Sequence, residues 1–421
     1  MSTPYRRNAK TPAGRIAATP STANWGGFFG LLQQYAGAAA GYSLRKIGSG
    51  PVVRLRRGSD NTEKDFYAGD LTGSVVGSQV LLNPEFDSAT GWSTSGGWSI
   101  TGGQAVQSGT DGNLQQGGKL TVGNYYIVTL EIVACSNFDD LRIRFGAASV
   151  YSLSSIGITT TGTHQIAFQA QSTFFLIQTI NSATATIEFA GCEEYTPTAA
   201  ELWTIEGVGN TTQLFAYATT WYDQSGSGND ATQATDASQP LLIRAGVTNT
   251  ENGKAALSFD GVDDELTASY SPSDYPITQT VVARGDATNA GYALSLHLSG
   301  QSDEYLTGSP VDASAVAIYS ARTTGASANP SNAITANDYT LMFSYSSSST
   351  SHSTHLNGGA AATSATSVTF PAPDTLAIGN LRDNTPLYFA GKIQEAIIYP
   401  SDQSSNRIGI EGNINDHYGI Y

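Results

Sequence analysis

The chain has 421 residues, enough for two or three domains that each bury a core. Charged residues are 13% of it, against about 25% in ordinary globular proteins, and its 45 glycines and 21 tyrosines fit an all-β surface protein. A net charge of −15 argues against nucleic acid or anionic membrane as a partner, and no run of about 18 apolar residues is present to span a bilayer.

The first fifteen residues carry Arg6, Arg7, Lys10 and Arg15 and no acid, so an acidic body follows a basic arm. Residues 1–35 are expected to form this extended arm, because Met1 to Asn24 is rich in Pro, Ala, Thr and Arg without an apolar period. Two readings of the arm stay open: an anchor for an acidic partner, or a solvated tail. Trp25 to Ala40, with Phe28, Phe29, Leu31, Leu32 and Tyr35, predicts a short helix or a buried docking strip. With no hydrophobic leader, the expectation is a protein made in a cytoplasm and kept there or released by lysis. Cys135 and Cys192, the only two cysteines, are expected as free thiols.

Tyr42 to Ser59 alternates as strands, clearest at Val52-Val53-Arg54-Leu55-Arg56, before a turn at Asp60-Asn61. From Leu81 the texture changes to short β segments at Tyr125–Val133, Leu141–Phe145, Thr163–Phe168, Thr173–Ile180 and Ala185–Phe189, the pattern of an antiparallel sandwich. Ala199 to Gly207 reads as a short helix. Later strands are expected at Thr219–Asp223, Ile277–Ala283, Ala290–His297, Ala315–Ala321, Tyr339–Tyr345, Thr375–Ile378 and Gly391–Tyr399. The last of these has apolar residues on both faces. Ile410, Ile414 and Tyr418 at i, i+4, i+8 predict a C-terminal amphipathic helix, and the Ser-rich run Ser344–Thr354 predicts surface loops or edge strands.

Ala40-Gly41-Tyr42-Ser43-Leu44-Arg45-Lys46, Arg54-Leu55-Arg56-Arg57-Gly58-Ser59-Asp60-Asn61 and Trp221-Tyr222-Asp223-Gln224-Ser225-Gly226-Ser227-Gly228-Asn229-Asp230 together resemble consecutive stretches of the catalytic sandwich of fungal arabinofuranosidase B, a fold also found in proteins of tailed bacteriophages. Asn252 to Asp264 resembles a strand and turn of concanavalin-A-like and laminin-G-like sandwiches. Leu82-Asn83-Pro84-Glu85-Phe86-Asp87, Leu120-Thr121-Val122-Gly123-Asn124-Tyr125-Tyr126 and Ile187-Glu188-Phe189 resemble carbohydrate-binding-module-like jelly rolls. The expected fold is therefore all-β: two antiparallel β-sandwiches, a concanavalin-A-like jelly roll over 36–79 and 196–421 interrupted by a smaller jelly roll over 80–195, with an extended N-terminal arm and a short C-terminal helix.

Retaining glycosidase chemistry needs two carboxylates about 5 to 5.5 Å apart. The arabinofuranosidase nucleophile run Asp-Met-Glu-Asn, its Gly-Gly-Asp acid run and its vicinal cysteine pair are all absent, so no catalytic residue is assigned. Asp303, Glu304 and Asp383 are the nearest acids and read as solvated loop carboxylates. Asp223 to Asn229 reads as a turn-forming element. His352 and His355 lack a third ligand and read as an exposed loop, and Asp260, Asp263 and Asp264 read as a tight turn with calcium as the open alternative. No metal or cofactor is assigned. Trp92 and Trp98 are candidates for stacking on a glycan, with core packing as the competing reading.

The resemblances imply a structural surface protein of a tailed phage virion, as head decoration, spike or tail fibre, assembled in the host cytoplasm. It would be anchored to other virion proteins through Arg6, Arg7, Lys10 and Arg15, as a homo-oligomer such as a trimer. A glycan-binding adhesin and an arabinofuranosidase-type glycoside hydrolase are the alternatives.

Overall fold

The computed structural model describes residues 30–72, 75–145, 150–206, 214–286, 291–299, 304–308, 316–323, 326–328, 331–333, 339–370, 372–381 and 387–421. Arg6, Arg7, Lys10 and Arg15 of the arm lie outside the described residues, as do Asp303 and Asp383. The fold is all-β, antiparallel throughout, with a short C-terminal helix.

Two ladders make the larger body. One runs from Ala362–Ser364 through Ser351–Leu356, Thr340–Ser348, Ile277–Gly285 and Ala390–Tyr399 to Ala40–Ser43. The other runs from Glu63–Phe66 through Val53–Arg57, Ala216–Trp221, Ala231–Thr232, Leu266–Ser269 and Thr375–Ile378 to Leu294–His297. Leu257–Asp260 joins them at one edge, pairing with both Ala390–Tyr399 and Leu241–Arg244. The space between them is filled by Tyr42, Val281, Ala396 and Ile398 from the first ladder and by Leu55, Trp221, Leu294 and Leu376 from the second. This is sandwich packing, in which alternate residues of facing sheets interdigitate.

Ala390–Tyr399 is buried on both faces, because a second apolar layer covers the outside of its ladder. Ile397 and Tyr399 point outward there and meet Leu31 and Leu32 of the helix Leu31–Gln34, with Ile410, Ile414 and Tyr418 of the helix Arg407–Tyr418. The C-terminal helix lies close: a Cβ on Gly409 would stand 1.9 Å from the Tyr35 hydroxyl. Gly419 then ends the helix at φ 63°, where a residue without a Cβ is least strained.

A second core sits under two smaller sheets. One holds Val150–Ser152, Leu141–Arg144, Phe175–Thr179, Gly112–Gln116 and Ser93–Thr94; the other holds Gly162–Gln169, Tyr125–Cys135, Thr184–Thr196, Gln104–Ser108 and Trp98–Thr101. Val75–Gln79, which leads into this unit, pairs with the end of Thr184–Thr196, which leads out. The incoming and outgoing chains thus lie side by side, so the surrounding sandwich closes over the interruption without stretching. Ile205, Leu214 and Ala245 of the larger body pack into this second core, and the Ala167 amide donates to the Ala245 carbonyl at 2.9 Å.

The Ser-rich run departs from expectation. Thr340–Ser348 is an interior strand paired on both sides, and Ser344, Ser346 and Thr354 are buried. Burial is tolerated because the hydroxyls serve one another, Ser344 Oγ lying 2.8 Å from Thr354 Oγ1. His352 and His355 are likewise no exposed loop: both are buried in Ser351–Leu356. Three residues apart on a strand, they point to opposite faces and share no ligand. The His352 ring sits against Ser346 Oγ and the Thr366 carbonyl, and the His355 ring against the Gly359 carbonyl. Both thiols are free, with Cys192 buried and Cys135 half-buried.

Candidate functional site

The Asp223–Asn229 run is a clamp across the interruption. Asp223 Oδ1 accepts from the Gly41 amide at 2.8 Å and the Ser225 amide at 2.9 Å, while Oδ2 accepts from the Ser225 hydroxyl and the Asn229 amide. Gln224 Oε1 accepts from the Ile47 and Gly48 amides, and its Nε2 donates to the Ser43 and Arg45 carbonyls. Asn229 Nδ2 reaches the Ala39 carbonyl at 2.7 Å. Gly48 is required here, since a Cβ would lie 1.9 Å from the Gln224 carbonyl oxygen. Residues 39–48 and 223–229 are therefore one local structure, although about 180 positions separate them in the chain.

By fixing the backbone at 43–48, the clamp aims Arg45. Its Nε and Nη2 meet Glu395 Oε2 and Oε1 at 2.7 and 2.9 Å, and Nη1 donates to Asn413 Oδ1 at 2.9 Å. Ser43 Oγ donates to Glu395 Oε2 at 2.8 Å, and the Tyr418 hydroxyl stands 3.2 Å from the same oxygen. Burial drives the Tyr418 phenol well above its ordinary range, with the Glu395 charge adding to it. Burial, with the neighbouring charges of Arg45 and Lys254, pushes the His417 imidazole down to about 4, so it stays neutral near pH 7.

Arg45, His417 and Tyr418 form one wall of a cleft of about 450 Å³ where the two sandwiches meet. Ile127, Gln165 and Tyr195 of the inserted unit also line it, with Thr248, Thr250 and Lys254. Its carboxylate, Glu201, is fully used: Oε2 accepts from the Tyr195 hydroxyl and the Thr198 amide at 2.7 and 2.8 Å, and Oε1 accepts from the Thr248 amide at 2.7 Å. An adjoining hollow of about 320 Å³ is lined by His164, Arg244 and Lys392 and shares Gln165, Val247, Thr248 and Thr250 with the first. Nothing in the sequence marks this cleft, because its lining is drawn from stretches as far apart as Leu44 and Tyr418.

Trp92 and Trp98 are 7% and 5% exposed. Trp92 packs against Phe86 and Phe175, and its Nε1 donates to the Asn83 carbonyl at 2.9 Å. Both rings belong to the core of the inserted unit and present no face to a sugar, because a small sandwich needs large side chains to fill its interior.

Asp260, Asp263 and Asp264 come together with ligand oxygens within 4.8 Å of one another. Asp260 Oδ1 accepts from the Val262 and Asp263 amides, Asp264 Oδ2 from the Asp260 amide, and Asp263 Oδ2 from the Ser238 hydroxyl, which is turn chemistry. Burial, then the Asp260 charge, raises the Asp264 carboxyl to about 7. An acid whose folded pKa is raised is protonated in the folded chain when already ionised in the unfolded one, so its contribution weakens as pH rises from about 4 to about 7. Asp264→Asn is expected to flatten this part of the profile, read as the difference in thermal midpoint between variant and parent from pH 4 to 8.

No protein-family model matches the chain, and no curated protein matches it. A solved GH54 α-L-arabinofuranosidase soaked with a cyclic sulfate inhibitor is similar at 13% identity, over 91% of this chain and 64% of its own, with a TM-score of 0.41. The CBM40 of a Ruminococcus gnavus IT-sialidase bound to α2,3-sialyllactose is similar at 15% identity over 38% of this chain and 96% of its own, TM-score 0.30. A Trypanosoma rangeli sialidase in complex with DANA is similar at 13% identity over 56% of this chain and 41% of its own, TM-score 0.31. The chain thus spans under two thirds of the length of the arabinofuranosidase.

Proposed function

We propose that this chain is a non-catalytic display protein of a tailed-phage virion, anchored to acidic neighbours by Arg6, Arg7, Lys10 and Arg15 and carrying its two sandwiches outward. The observation that carries the non-catalytic part is Glu201. Glycoside hydrolysis needs one carboxyl free to donate a proton and a second to attack or activate water. Among the described residues lining the cleft of about 450 Å³ the one acid, Glu201, has both oxygens bound by three donors. The side-by-side connections at Val75–Gln79 and Thr184–Thr196 suit a scaffold that displays an extra unit. Anchoring through the arm rests on its charge, opposite in sign to the body.

Removal of Met1–Asn24 tests this directly. The truncated protein is expected to lose incorporation into particles, with its circular-dichroism spectrum as the check that it still folds. Full occupancy on particles by the truncated protein would place the anchor elsewhere. Turnover of 4-nitrophenyl α-L-arabinofuranoside by the intact protein would overturn the non-catalytic reading.

A further inference from the structure

We infer that the cleft between the two sandwiches is a binding site for a carboxylate-bearing oligosaccharide. The chain has 35 acids against 20 lysines and arginines, yet the two adjoining hollows are lined by Arg45, Lys254, Arg244 and Lys392 with Glu201 as their acid. Arg45 is neutralised by Glu395, and Lys392 by Glu251 at 3.3 Å. Lys254 and Arg244 have no carboxylate within ion-pair distance among the described residues, and Glu201 is turned onto its own three donors. The seam is therefore a positive spot on a negative body, which draws an anion in and holds it away from the surrounding acids.

Lys254 and Arg244, the latter with Nη1 donating to the Gly157 carbonyl at 3.1 Å, stand in separate hollows joined by a shared wall, so a ligand with repeated charges engages both while a single small anion engages one. Between them lie the exposed Gln165 and Thr250, which donate and accept like sugar hydroxyls, beside the half-buried Val247. The combined volume, about 450 and 320 Å³, suits a few sugar units. The net charge of −15 disfavours a nucleic-acid strand passing over the rest of the surface.

The inference does not depend on where the protein is displayed. Its test is calorimetric titration of the full chain with trigalacturonate, alongside galactotriose, inorganic phosphate and a short single-stranded oligodeoxynucleotide. Trigalacturonate is expected to bind, and to weaken as salt is raised past the point where the screening length falls below about 8 Å. Lys254→Ala and Arg244→Ala are each expected to weaken it roughly tenfold, the worth of one charge-assisted bond. Lys254→Glu is expected to abolish it. These side chains are part-exposed or exposed, so the thermal midpoint should hold in all three variants. No heat with trigalacturonate at millimolar concentration overturns the inference. So does equal binding of galactotriose, phosphate or the oligodeoxynucleotide, or an affinity unmoved by the substitutions.

Discussion

Asp223→Ala is expected to lower the thermal midpoint of the protein by about 6 to 12 °C, corresponding to about 3 kcal/mol in a body of this size. The carboxylate is 9% exposed and accepts from the Gly41, Ser225 and Asn229 amides and from the Ser225 hydroxyl. Alanine leaves those donors without their acceptor, and an unsatisfied buried donor costs about 1 to 3 kcal/mol. The Gly41 bond matters most, because it ties two halves of a sandwich that the chain visits 182 positions apart. Gln224→Ala should cost a similar amount, since its 3% exposed amide makes four backbone bonds to residues 43–48. Ser227→Ala, in the same loop but exposed and bonded at 3.4 Å, is the matched control and should move the midpoint little. A drop no larger than that of Ser227→Ala in either clamp variant would mean that the loop is ornamental.

The clamp also shows what the sequence carried. Asp, Gln and Asn interleaved with Ser and Gly at 223–229 announce turn chemistry, and the structure uses those side chains to bind backbone. The partner strand at 40–48 was visible only through its resemblance to the arabinofuranosidase sandwich, since hydrogen bonds to backbone amides leave no mark on the residues that supply them. Strands were legible where period-2 alternation faces one core, as in Leu141–Arg144 with its buried Leu141 and Ile143. At Ser344–Thr354 hydroxyls pair inside a sheet, so polarity there did not mean exposure.

The same limit explains the site. Trp92 and Trp98 were plausible stacking platforms because sequence does not say which side of a ring faces solvent, and packing of Trp92 against Phe86 and Phe175 answers that. The cleft was invisible, because Arg45, Gln165, Lys254 and His417 meet only after both sandwiches have formed. Charge balance over the whole chain pointed away from any positive spot, and Lys254 and Arg244, with no carboxylate within ion-pair distance among the described residues, are what leave one.

Glu395→Gln should be the costliest single change, about 3 to 5 kcal/mol, because it strands the guanidinium of Arg45 in a site where Glu395 is fully buried. The carboxylate accepts from Nε and Nη2 of Arg45 and from the Ser43 hydroxyl, which locks strand Ala40–Ser43 to strand Ala390–Tyr399 and, through Arg45 Nη1 and Asn413, to the C-terminal helix. A charge removed from water and left alone loses more than a pair removed together. The double variant Arg45→Met, Glu395→Met should therefore be far more stable than the sum of the two single variants, by a coupling of about 2 kcal/mol or more in a double-mutant cycle read by chemical denaturation. Additivity within about 0.5 kcal/mol would show that the two groups do not depend on each other, and that the C-terminal helix is held by Ile410, Ile414 and Tyr418 alone.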